Sequence, residues 1–151
     1  MQVGESDVVT ASWARSDLYG SWRVVSSKGV MVDADGTRTE KESSLEGVIV
    51  FTPQHRMIAF VTHPGRQPAK NDADKLKLFQ SMVVYSGRFS LQAEKYIVTI
   101  DWSSTALNQN EPQVRLYSID KETLRIEVPE HKSIFDETKR NSNILIAMRE
   151  K

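Results

Sequence analysis

At 151 residues, 39% hydrophobic and 26% charged, the chain has apolar material for one domain with a substantial core and too little length for two. Twenty lysines and arginines balance twenty aspartates and glutamates, so no net field favours a nucleic acid or an anionic membrane, and neither is an expected partner. The lack of cysteine excludes disulfides, thiolate metal sites and cysteine nucleophiles.

Residues 1–17, MQVGESDVVTASWARSD, are polar without a sustained period and read as an N-terminal arm laid against the body, with Trp13 as an anchor. They lack the basic and apolar regions of a secretory leader, and no run of eighteen apolar residues follows, so a cytoplasmic location is expected. The domain proper spans 18–151. Its first strand, GSWRVVSS, alternates Trp22, Val24 and Ser26 on one face with Arg23 and Val25 on the other. Asp35-Gly36 is a hairpin turn signal, and SLEGVIVFT and RMIAFVTH make a second hairpin about a tight turn set by Pro53. The stretch from His63 to Gln80 breaks the strand pattern. Asn71 or Asp72 caps a short helix over 72–80, with Leu76 and Phe79 as its apolar edge. Residues 63–80 read either as a gate over one end of the domain or as a passive crossover.

SMVVYSGRFSL, KYIVTIDW, QVRLYSI, TLRIEV and NILIAMRE are five further strands. About eight strands at hairpin spacing with one short helix suit an all-β, eight-stranded antiparallel barrel, whose interior is filled by side chains or holds one small ligand. A β-sandwich is the competing architecture.

The triplet Gly20-Ser21-Trp22 resembles the Gly-x-Trp signature of lipocalins, and Arg149 stands where such barrels place the arginine that packs on that tryptophan. GSWRVVS…ADGT, GVIVFTPQHRMIAFV, YSGRF and QVRLYSIDKETLRI together look like the lipocalin-like domain family of small bacterial and fungal proteins over most of residues 18–150. The resemblance implies an intracellular lipocalin-like barrel, and some members resemble tailoring cyclases or isomerases of natural-product pathways. In such a barrel Trp22 is a structural plug, with the Arg149 guanidinium stacked on its indole.

Alternate residues of a closed barrel point inward, so polar faces of apolar strands locate chemistry. Gln113, Arg115 and Tyr117 share one face of QVRLYSI; facing the lumen, Arg115 would bind a carboxylate, enolate or polarised carbonyl, and facing outward it would pair with Glu127. Asp101 is a candidate base or the ion-pair partner of Arg115, and Trp102 a candidate cavity wall. Tyr85, sharing a face with Gly87 and Phe89, offers a phenol to a substrate oxygen or belongs to an aromatic core strand. His63 is a general acid or base at the mouth, or a solvated turn residue; His55 and His131 read as surface residues. Phe60, Trp102, Gln113 and Tyr117 are the expected ligand contacts, and Arg115, Tyr85, Asp101 and His63 the expected catalytic groups. No ligand spacing for a metal occurs, and no cofactor is expected. The expected function is binding of a small hydrophobic molecule and its cofactor-free cyclisation or isomerisation in a biosynthetic pathway, with non-catalytic binding or carriage as the alternative. The sequence leaves room for a homodimer.

Overall fold

Period-two alternation builds almost the whole domain. The computed structural model describes residues 17–106, 109–133 and 135–151, so most of the expected arm, Trp13 included, lies outside the described residues. The strands are β1 (Gly20–Val32), β2 (Arg38–Ser43), β3 (Glu46–Phe51), β4 (Arg56–Thr62), β5 (Met82–Gln92), β6 (Lys95–Ser103), β7 (Pro112–Asp120), β8 (Thr123–Lys132) and β9 (Arg140–Arg149). One helix, α1 (Asp72–Gln80), interrupts them between β4 and β5.

Each strand pairs antiparallel with its neighbours, and β1 pairs with β9 to close the sheet. β2 and β3 lie end to end along β1: Ser27–Val32 pairs with β2 and Gly20–Arg23 with β3. They act as one interrupted strand, so the closed barrel has the eight antiparallel strands expected. The expected turns form: Gly36 N–H donates to the Asp33 carbonyl at 2.9 Å, and His55 N–H to the Thr52 carbonyl at 3.0 Å. The helix forms over 72–80, with the Asn71 side chain accepting from Asp74 N–H at 2.8 Å. Two aspartates in its first turn complement its dipole.

One end of the barrel is sealed. Trp22 is fully buried, and its indole N–H donates to the Leu18 carbonyl at 2.9 Å. Arg149, its β9 partner in register, sets its guanidinium carbon 4.1 Å from the centre of the ring. The same guanidinium donates to the carbonyls of Tyr19 and Asp17 and lies 3.9 Å from the Glu122 carboxylate. Gly20 has φ +128, and a Cβ there would sit 3.2 Å from Arg149 Nη1. The glycine of the Gly-Ser-Trp triplet therefore makes the arginine's approach possible. Above the plug Val24, Ile49, Phe51, Met57, Phe89, Tyr96, Val98, Leu124, Ile126 and Ala147 fill the lumen. Phe51 meets both Phe89 and Tyr96 edge to face.

Three β-bulges interrupt the alternation. One lies between Val24 and Ser26, one opposite Ser86 and Gly87, and one between Val128 and His131. Each inserts a residue and turns the following side chains to the other face. The first corrects the expected face of β1: Ser27, rather than Ser26, follows Val24 inward and is buried. At the second, a Cβ on Gly87 would meet the Thr99 carbonyl oxygen at 2.3 Å, so this glycine serves a close backbone approach rather than room for a ligand.

Replacing Trp22 by alanine is expected to cost about 3–5 kcal/mol of unfolding free energy. Urea denaturation checks this, and an unchanged midpoint would show that the ring does not seal the barrel.

Candidate functional site

The lumen changes character along its axis. Its sealed half is apolar, whereas its open half presents Ser27, Tyr85, Gln113, Arg115, His131 and Asn143 at inward positions of β1, β5, β7, β8 and β9. At this open end a pocket of about 190 Å³ is lined by Ser27, Leu45, Val61, His63, Val83, Phe135 and Asn143, among others. Ser27 Oγ donates to Asn143 Oδ1 at 2.6 Å on its wall. Phe79 of α1 meets Phe135 of the β8–β9 connection edge to face, with ring centres 6.0 Å apart. That contact joins the two segments at the pocket's rim. Arg66 ties the C-terminal end of α1 down by donating to Ser81 Oγ at 2.9 Å and to the Leu78 carbonyl at 3.1 Å.

Arg115 faces inward and is only 6% exposed, which excludes the outward pairing with Glu127. Glu127 lies beside Arg125 instead. The Arg115 Nη1 donates to the adjacent Val114 carbonyl at 3.1 Å, while its buried Nε–H has no partner among the described residues. Tyr96 pairs with Arg115 in register. Burial pushes the Tyr96 phenol above its ordinary range, Tyr85 adds to the rise, and the charge of Arg115 opposes it. His131 is lowered chiefly by burial, which outweighs the hydrogen bonds of the Pro129 and Asn141 backbone that raise it, and Arg115 and Arg140 lower it further. Its Nδ1 lies 3.1 Å from the Pro129 carbonyl.

Four of the expected residues, Arg115, Tyr85, Gln113 and His63, thus belong to the open half of the barrel or its rim. Tyr117 also faces inward, but near the sealed end, where its pKa is raised by burial and by Asp17. The remaining three lie outside the lumen. Phe60 alternates with buried Ala59 and Val61 and projects from the outer wall, 45% exposed. Asp101 is the extra residue of the second bulge; it accepts both Nη1 and Nη2 of Arg56 at 2.8 Å, not a hydrogen bond from Arg115. The same bulge turns Trp102 outward opposite Ser86, where it is 71% exposed. Trp102 is therefore no cavity wall, and Asp101 is no lumen base.

Ser27 and His131 are site residues that alternation misses; Asn143 shares the face of β9 that carries Arg149, Ala147 and Leu145, so alternation reaches it once Arg149 is placed inside. The bulges put Ser27 and His131 inside; no turn residue marks the first, whereas Pro129 marks the one between Val128 and His131. Among the described residues no cluster of three or more histidines, aspartates or glutamates gathers where a metal ion could be held. No helix among them is long and apolar enough to cross a membrane.

Residues 19–150 match the family model described as the lipocalin-like domain. No curated protein is significantly similar to the chain. A solved structure of a lipocalin-like protein from Bacteroides uniformis ATCC 8492 is 14% identical, covering 89% of this chain and 99% of that one, with a TM-score of 0.41.

The Arg56 fork holds the Asp101 carboxyl below its ordinary value of 3.8. A carboxylate depressed in the folded state adds stability above its unfolded pKa, and that contribution is lost as pH falls through the folded value. Asp101→Asn is therefore expected to be less stable than wild type at pH 7, with the gap closing well below pH 3.8. Urea midpoints at the two pH values check this. An equal gap at both contradicts it.

Proposed function

The chain belongs to the lipocalin-like domain family, and we propose that it binds a small hydrophobic molecule in the open half of its barrel. The observation that carries this reading is the divided lumen. A purely structural interior favours close-packed aliphatic side chains throughout, whereas this one places an apolar pocket with convergent polar groups at one end only. Leu45, Val61, Val83 and Phe135 supply the apolar lining, while the Ser27–Asn143 pair and His63 supply polar contacts. At about 190 Å³ the pocket suits a compact ligand, below the roughly 300–1,000 Å³ usual for drug-sized ones. The Phe79–Phe135 contact at its rim suits a gate through which the molecule passes.

A second reading, favoured by the placement of Arg115 and Tyr85 in one lumen, is cofactor-free cyclisation or isomerisation of that molecule as a step of a biosynthetic pathway. A shaped cavity lowers such a barrier by holding a reactive conformer, and fixed donors stabilise charge developing on an oxygen. Arg115 and Tyr85 would supply the donors. With Asp101 outside, proton transfer falls to His63 at the rim.

Binding is tested with 1-octanol as a neutral apolar probe. Val83→Trp fills the pocket and is expected to weaken binding by about tenfold or more, while Ile58→Ser on the outer wall leaves it unchanged. Equal binding by wild type and Val83→Trp would place the ligand elsewhere. With a candidate substrate in hand, the catalytic reading expects Tyr85→Phe to slow turnover while still binding. A wild type that binds the substrate but converts it no faster than buffer rules that reading out.

A further inference from the structure

We propose that Arg115 is an anion receptor and that the molecule held in the barrel is a monocarboxylate, which enters head first and sets its carboxylate on this guanidinium. The inference rests on the reading that the open half of the lumen takes a small molecule, and it adds that molecule's charge and direction.

Two arginines of the barrel show what a satisfied guanidinium looks like here. Arg56 is bound through two nitrogens to Asp101 and also donates to Ser86 Oγ at 2.9 Å. Arg149 stacks on Trp22, donates to two carbonyls and neighbours Glu122. Arg115 is more deeply buried than either and the least satisfied. Of its five N–H donors, one reaches the adjacent Val114 carbonyl, and no carboxylate lies within ion-pair distance of it among the described residues. Burying a charge without a counter-ion is costly, and that cost is poorly justified if the group serves packing alone.

The free donors have a shape. Nε–H and Nη2–H project from one edge of the planar guanidinium, and neither has a partner among the described residues. That edge matches the two oxygens of a carboxylate, which accepts both bonds side by side. The surroundings supply no competing anion: no carboxylate lies within ion-pair distance of Arg115 among the described residues, and burial raises the Tyr96 phenol. A neutral ligand would leave the buried charge uncompensated. A dianionic phosphate would bring two charges to the single positive charge of this guanidinium.

The route to Arg115 runs from the pocket. Arg115 does not itself line that pocket; Asn143, on the pocket wall, pairs with Val128 of β8, and β8 pairs in turn with β7, the strand that carries Arg115. In the proposed pose the carboxylate passes Asn143 towards the guanidinium, and the apolar body stays beside Val61, Val83 and Phe135 of the pocket.

Calorimetry and thermal unfolding with octanoate, 1-octanol and octylamine test the assignment. Wild type is expected to bind octanoate at least about tenfold more tightly than 1-octanol, to gain Tm with octanoate, and to give no response to octylamine. Arg115→Met is expected to unfold at a Tm no lower than wild type without ligand, since it removes an uncompensated buried charge. It should bind 1-octanol as before and lose the preference for octanoate; Arg115→Lys, which keeps the charge without the fork, should retain part of it. Equal binding of octanoate and 1-octanol by wild type overturns the charge assignment and leaves the barrel reading standing. Binding of neither overturns both. A large loss of ligand-free Tm in both variants makes Arg115 structural and also overturns the assignment.

Discussion

The contact between Trp22 and Arg149 is the constraint on which the barrel depends. It joins the first strand to the last at the point where the sheet closes, and it does so with a fully buried indole whose face and N–H are both engaged. An open sheet would leave an unpaired edge on β9; closure onto β1 removes it. The guanidinium's bonds to the carbonyls of Tyr19 and Asp17 also fix the chain as it enters β1. Sealing one end in this way leaves the other as the lumen's only open end among the described residues.

A consequence follows for the distribution of polar groups. At the sealed end the interlocked aromatic rings of Phe51, Phe89 and Tyr96 exclude water, and the interior is apolar. Towards the open end the three bulges bend the strands and bring Ser27 and His131 inward while turning Trp102 out. Bulges concentrate at barrel rims and beside functional sites because they re-aim side chains without dismantling the sheet. Here all three act on the same half of the barrel as the pocket and Arg115. The fold thus separates a half that supplies stability from a half that tolerates polar groups and an unpaired charge.

Much of this was legible in the sequence because closed-barrel strands follow a period of two. The eight strands, the turns at Asp35-Gly36 and Pro53 and the helix over 72–80 rest on local patterns, whereas the Trp22–Arg149 pair came only from the resemblance to lipocalins. The inward face of β7 was recognisable as a polar stripe, although alternation alone left its direction open between lumen and solvent. Alternation failed at the bulges. One inserted residue in β6 reverses the face of everything beyond it, so Trp102 passed from expected wall to exposed surface, and Asp101 found Arg56 instead of Arg115. Phe60 was misread for a different reason: a large aromatic suggests a cavity wall, yet its neighbours Ala59 and Val61 take the inward positions of β4. His131 reads as a surface residue because alternation from Val128 puts it on the outer face; the bulge that carries it inward is marked only by Pro129, which sheets admit at edges and bulges.

The central claim is that ligand occupies the open half of the lumen and the sealed half is structural. A methyl NMR titration with octanoate tests it most directly. The account predicts shifts at the methyl groups of Leu45, Val61, Val83 and Val128, with those of Val24, Leu124 and Ala147 unmoved. Shifts concentrated at Ile58 and Val50 on the outer wall, or at the methyls packed above Trp22, would contradict it.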